Sequence, residues 1–173
     1  MSAGLVRHRR LASLAAGIFC LGLVAYAIWL QNTQGLEPCP LCIFQRIGVA
    51  SLGAALILAA LPPARMRWAL YTGAVLVGLV AAATAGVAIR HLYIQHLPPG
   101  SVPACGATLD YLMDVFTPAE VLRKVLTGSG ECAKVDWTFL GLAMPAWVLI
   151  WAIVLGVVGV AANWPRRAPA RSA

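Results

Sequence analysis

Four stretches of the chain are apolar almost without interruption, and most polar residues are confined to what lies between them. The runs cover Leu11–Leu30, Ile43–Leu61, Trp68–Ile89 and Leu142–Ala162. Each holds about 20 residues, enough for a helix to cross a hydrocarbon layer about 30 Å thick. Trp29, Trp68, Tyr93, Trp137 and Trp164 stand near the run ends, where amphipathic rings settle at headgroup level, while Trp147 and Trp151 lie further inside the last run. The pattern predicts an all-α integral membrane protein, a four-transmembrane-helix bundle forming a single membrane domain over residues 1–173. Ala25-Tyr26-Ala27 mimics a signal-peptidase site. A signal core is usually about 7–15 residues, however, and the first run is longer, so it reads as a retained span.

Composition agrees, with 61% hydrophobic and 11% charged residues, against about 25% charged in a soluble domain. The net charge of +7 does not mark a nucleic-acid binder, because the basic residues form no compact patch and are not interleaved with aromatics. The charges read instead as topology. Arg7, Arg9 and Arg10 precede the first run, Arg65 and Arg67 join the second to the third, and Arg166, Arg167 and Arg171 follow the fourth. The acids Glu37, Asp110, Asp114, Glu120, Glu131 and Asp136 all fall in the loops at about 31–42 and 90–137. Positive residues stay inside, so both termini should be cytoplasmic and those two loops should face outward.

The second outer loop should carry a short amphipathic helix. Thr117-Pro118-Ala119-Glu120 has the capping-box pattern, and Gly128 ends the segment. Val121, Leu122, Val125 and Leu126 make its apolar face, suited to lying on the bilayer surface; packing on the top of the bundle is the alternative. Within the spans, small residues four apart, such as Ala82 and Gly86 or Ser51 and Ala55, permit close helix contact. No Asp, Glu or Lys interrupts a span, which argues against a proton pump, carrier or channel.

The candidate chemistry lies in the cysteines. Cys20, alone in the first run, reads as a small buried hydrophobe. Cys39 and Cys42 fall in the first outer loop, Cys105 and Cys132 in the second. Four thiols on an oxidising side imply disulfides. A four-cysteine zinc site usually wants two close pairs, and Cys105 and Cys132 are too far apart for one. The C-x-x-C spacing of Cys39 and Cys42 closes too small a ring to act as a useful staple, but it suits a dithiol redox centre. Cys42 opens the second span, where a helix N-terminus favours its thiolate, and Arg46 follows one turn later on the same face. An interfacial anchoring role for Arg46 is the alternative. Cys132 is tethered a few residues before Trp137, with a reach of about 15–20 Å, while Cys105 reaches about twice as far from the third span. Cys105 can therefore meet a soluble partner and Cys132 can relay to the first loop. The chain has no dinucleotide fingerprint and no haem-attachment motif, so a lipid-soluble acceptor, best a quinone, must take the electrons. Taken alone, the cysteines leave one other reading open, a non-catalytic membrane scaffold with two structural disulfides.

The run Pro38-Cys39-Pro40-Leu41-Cys42-Ile43-Phe44-Gln45-Arg46, the pair Cys105 and Cys132, and Asp136-Trp137-Thr138-Phe139-Leu140-Gly141-Leu142-Ala143-Met144-Pro145 resemble the bacterial disulfide bond formation protein B family. The resemblance covers nearly the whole chain. It implies an inner-membrane dithiol:quinone oxidoreductase with disulfides Cys39–Cys42 and Cys105–Cys132 and a quinone of the ubiquinone or menaquinone type. It further implies that Cys105 exchanges with a periplasmic thioredoxin-fold thiol oxidase, that Cys132 takes oxidation from Cys39, and that Arg46 and a histidine serve the quinone. His91 is the match for that histidine, with His96 close by, and Cys20 has no counterpart in the family.

Overall fold

The computed structural model of the protein describes residues 3–35, 38–62, 66–98, 100–103, 109–135 and 137–164. Cys105 lies outside that set, as do Glu37, Arg65, Asp136, Arg166, Arg167 and Arg171. The apolar runs become α1 (Ala3–Gln34), α2 (Pro40–Ala60), α3 (Arg67–Gln95) and a last helix, Met144–Asn163. Each is long and apolar enough to cross a membrane. The protein is thus an all-α, multi-pass membrane protein. Its first and third helices extend past the apolar runs, since helical hydrogen bonding continues through polar residues at the bilayer edge.

Between α3 and the last span come three short helices among the described residues: α4 (Leu109–Val115), α5 (Pro118–Thr127) and α6 (Gly130–Ala133). A two-stranded hairpin follows, β1 (Thr138–Phe139) and β2 (Leu142–Ala143), before α7 (Met144–Asn163). Leu142 and Ala143, expected to open the fourth span, are strand instead. The two-residue turn Leu140-Gly141 has positive φ at both positions, 51° and 78°, the arrangement that matches hairpin twist. Leucine carries that conformation at a cost, which is why the hairpin is hidden in the sequence.

The bundle pairs α3 with α7, α1 with α2 and α2 with α3 extensively, while α1 and α7 meet much less. Leu52, Leu56, Val77, Ala81 and Leu155 form the centre of its core. Glycines set the closest approaches. A Cβ on Gly53 would stand 2.9 Å from the Cys20 Cβ, and one on Gly156 would stand 2.6 Å from that of Ala81. Cys20 is fully buried in the α1–α2 crossing, as a small apolar residue should be. The expected small-residue pair Ala82 and Gly86 does not serve this purpose: both are exposed, and a Cβ on Gly86 would meet nothing within 4 Å.

A second, smaller core covers one end of the bundle, uniting Leu41, Ile94, Leu112, Val121 and Val125 with Cys39 and Cys132. The expected amphipathic helix is α5, and its apolar face divides. Val121 and Val125 turn into this core, whereas Leu122 and Leu126 stay exposed. Packing on the top of the bundle therefore claims half of the face that the sequence assigned to the bilayer. Arg90 of α3 fastens the far end of α5, donating from Nε to the Leu126 carbonyl at 2.7 Å and from an Nη to that of Thr127 at 3.3 Å. The orphan carbonyls of a helix C-terminus are met in this way.

Candidate active site

Local sequence places the first thiol pair. Cys39 is the N-cap of α2, with extended backbone, and Pro40 follows in the first turn, where its missing N–H costs nothing. The Cys39 sulfur accepts the Cys42 backbone N–H at 3.3 Å, as a serine cap would. This brings the two sulfurs to 2.9 Å, with Cys39 donating to Cys42. Both are free thiols. A disulfide requires about 2.05 Å, so the two thiols stand within a short approach of closing.

The loop core delivers the third thiol. Cys132 sits in α6, its N–H bonded to the Ser129 carbonyl at 2.9 Å, and Gly130 N–H is tied to the Pro103 carbonyl at 2.8 Å. Its side chain is buried against Cys39, to which it hydrogen-bonds, and the Leu41 backbone N–H also points at its sulfur. It too is a free thiol, and Cys105, its expected disulfide partner, lies outside the described residues. The hydrogen bonds run one way, from Cys132 to Cys39 to Cys42. That from Cys132 pulls the Cys39 thiol down, but the bond Cys39 makes to Cys42, with burial, outweighs it and pushes Cys39 up to about 12. Its bond to Cys39, and then burial, raise Cys132 as well. Protons are thus kept on the outer two sulfurs, and Cys42 is the terminal acceptor.

Of the two candidate histidines, His91 joins this cluster. It is almost fully buried, with Nε2 3.1 Å from the Cys132 carbonyl oxygen and 3.8 Å from the Cys39 sulfur. A carbonyl only accepts, so Nε2 carries the hydrogen and Nδ1 is an acceptor. No group partners that buried Nδ1. His96 caps the end of α3, exposed, with its ring on the Leu92 carbonyl. Arg46 lies one turn beyond Cys42 and reaches across to α1, hydrogen-bonding the Gln31 side chain and, at 3.4 Å, the Ala27 carbonyl.

Cys42, Gln45, Arg46 and Val49 present one face of α2 to a cavity of about 470 Å³ lying between α1, α2 and α7, with His91 on its wall. Phe19 of α1 and Trp151 of α7 both line it and meet edge to face at 4.8 Å. The hairpin contributes Phe139, whose carbonyl accepts the Trp147 indole N–H at 3.1 Å. Gln45 was not anticipated from the sequence. The signal was there, since a polar side chain three residues after Cys42 in an apolar run must share its face.

Cys39, Cys42 and His91 place ligand atoms within 4.8 Å of one another, close enough in principle for a soft metal ion. Two thiolates on one tetrahedral zinc stand about 3.8 Å apart, given Zn–S bonds of about 2.3 Å. The 2.9 Å separation is shorter and suits thiols about to bond to each other. The cavity's volume, apolar walls and few converging polar groups are those of a small-molecule site.

A four-helix membrane bundle with thiols clustered under one end defines a membrane protein of disulfide chemistry. The family model for "Disulfide bond formation protein DsbB" matches residues 9–162. Disulfide bond formation protein B of Xylella fastidiosa is 44% identical over 151 residues, covering 87% of each chain. That of Xanthomonas campestris is 43% identical over 150 residues, 87% of each chain. That of Acinetobacter baumannii is 43% identical over 150 residues, 84% of this chain and 86% of the relative. The chain belongs to the DsbB family of disulfide bond formation proteins.

Proposed function

We propose that the protein is a dithiol:quinone oxidoreductase of the bacterial inner membrane, with both termini cytoplasmic. It reoxidises a periplasmic thioredoxin-fold thiol oxidase and passes the electrons to membrane quinone of the ubiquinone or menaquinone type. The observation that carries this reading is the line Cys132, Cys39, Cys42, which ends on the apolar cavity.

The working oxidised form has Cys39–Cys42 and Cys105–Cys132 bonds. A partner thiolate attacks Cys105, releasing Cys132. The partner's second thiol then displaces Cys105 and leaves the partner oxidised. Cys132 attacks Cys39, releasing Cys42, and Cys105 recloses onto Cys132 as Cys39 departs. Each attack forms one S–S bond and breaks one, so two electrons move from the partner to Cys39 and Cys42. When bound, quinone would supply the sink for the two electrons and two protons released as the Cys39–Cys42 bond re-forms. The chain's own part is to hold Cys132 against Cys39 and to keep Cys42 as the acceptor of hydrogen bonds. Arg46 supplies a cation beside it in a poorly solvated cavity, where charge interactions exceed those in water.

Purified protein given a reduced thioredoxin-fold partner should reduce quinone, followed by its absorbance. Arg46→Ala should raise the apparent KM for quinone at least about tenfold, the loss of one charged interaction, and Arg46→Lys should lose less. Partner oxidation that proceeds equally without quinone would overturn the proposal.

A further inference from the structure

Two buried polar atoms among the described residues lack any hydrogen-bond partner, His91 Nδ1 and Gln45 Nε2. Both residues line the same cavity. Gln45 is only 2% exposed, and an amide N–H in apolar surroundings is expensive to leave unmet. Packing does not require it there, because its neighbours Leu41 and Val49 on the same helix are plain hydrophobes. An unmet donor, three residues from Cys42 and on its face, calls for an acceptor brought by a ligand. A quinone ring offers carbonyl oxygens, which only accept.

We propose that Gln45 is a ligand-contacting residue of the cavity, its side-chain amide donating a hydrogen bond to a carbonyl oxygen of the quinone ring. This rests on the quinone reading above and deepens it. The two unmet atoms are complementary: Gln45 Nε2 donates, and His91 Nδ1, with its hydrogen on Nε2, accepts. A quinone has carbonyls to receive from the first, and a quinol has hydroxyls to give to the second. Gln45 therefore contributes to holding the oxidised form, separately from the charge of Arg46.

The test is Gln45→Met, which keeps length and removes the donor. The probe is a short-tailed ubiquinone analogue, with steady-state turnover and thermal midpoint measured on the whole protein in lipid nanodiscs. The apparent KM should rise about three- to tenfold, the worth of one hydrogen bond, with kcat within about twofold. The rise in midpoint caused by adding quinone should shrink. Without quinone the variant should be at least as stable as the parent, because a buried unmet amide has gone. Should Gln45→Met fail to fold, Gln45→Asn, which withdraws the amide by one methylene, should give the same rise in KM. A variant with unchanged KM and unchanged quinone-dependent stabilisation overturns the role of Gln45 alone. A parent protein showing neither quinone turnover nor quinone-dependent stabilisation overturns the reading beneath it.

Discussion

The two ends of this bundle bury polar groups in opposite ways. At one end Asn163 of α7 donates to the Ser13 hydroxyl at 3.2 Å and to the Gly159 carbonyl at 2.8 Å, all buried. Nearby, Arg9 bonds the Ala162 carbonyl, and Arg10 bonds those of Leu61 and Pro62 at 3.3 and 3.0 Å. These arginines satisfy helix C-termini and complement their dipoles. At the other end, the free thiols Cys39 and Cys42, with His91 and Gln45, line a cavity, Cys132 packs in the small core beside Cys39, and two buried polar atoms among the described residues have no partner. The first end is finished within the chain; the second is completed only by something from outside. Unmet polarity next to reactive sulfur is the mark of a site, whereas fully met polarity holds helices together.

The largest expected effect sets the two ends directly against each other. Cys132→Ser should cut turnover by at least about a thousandfold, as loss of a covalent participant does. Cys105 then has no disulfide for the partner to attack, so the reduced partner should stay reduced, visible on a gel after alkylation of its thiols. Asn163→Leu should leave turnover within about twofold while lowering stability by about 1 kcal/mol, from the loss of a buried interhelical hydrogen bond. An Asn163→Leu protein as inactive as Cys132→Ser would break the contrast.

A second prediction separates the sulfurs within the site. Cys39 is held up to about 12 and Cys132 is also raised, so both stay protonated at pH 8, where an ordinary thiol near 8.5 is partly ionised. Brief iodoacetamide treatment of the reduced protein, mapped by mass spectrometry, should modify Cys42 first. Cys39 should react about a hundredfold more slowly than a free thiol, speeding up as pH rises. The sign for stability follows. A group raised on folding contributes fully below its unfolded value, and the contribution is lost as pH climbs through the folded one. This end of the protein should therefore loosen between about pH 8.5 and 12, a window in which the hydrogen bonds joining Asn163 to Ser13 and Gly159 contain no titrating group. Equal labelling of Cys39 and Cys42 at pH 8 would dissolve the ordering.

Much of this contrast could be read in advance, though unevenly. Run length set the four spans, and the bias of acids toward two loops set which cysteines lie together. Spacing alone placed Cys42 and Arg46 on one face, because a helix repeats every 3.6 residues. What escaped were contacts between distant segments. Nothing in the spacing of Cys132 says that α6 tucks it against Cys39, because that depends on Ile94, Val121 and Val125 building a small core. His91 and His96 are five residues apart and alike in sequence, yet only the first faces inward. The hairpin went unseen because its turn spends a leucine where glycine or asparagine is usual. Arg46 was placed correctly beside Cys42, but its bonds to Gln31 and Ala27 belong to a helix pairing that no local pattern encodes.

The smallest effect concerns the support of the reactive end rather than its chemistry. At the start of α5, the Thr117 hydroxyl and then its backbone N–H donate to one Glu120 carboxylate oxygen, at 2.8 and 3.0 Å, and together hold that carboxyl below its usual range. A group depressed on folding contributes above its unfolded value, about 4.3, and the contribution is lost as pH falls through the lower folded value. Amides in the first turn of α5 should exchange hydrogen faster over that acidic window, and Glu120→Gln should make them exchange faster already at neutral pH and without the pH step. Turnover should change less than about twofold, the scale of an exposed capping contact. The reason is that α5 is also fixed by Val121 and Val125 in the loop core and by Arg90 on its last carbonyls. If Glu120→Gln instead reduced turnover as deeply as Cys132→Ser, the cap rather than the apolar core would be what presses Cys132 onto Cys39.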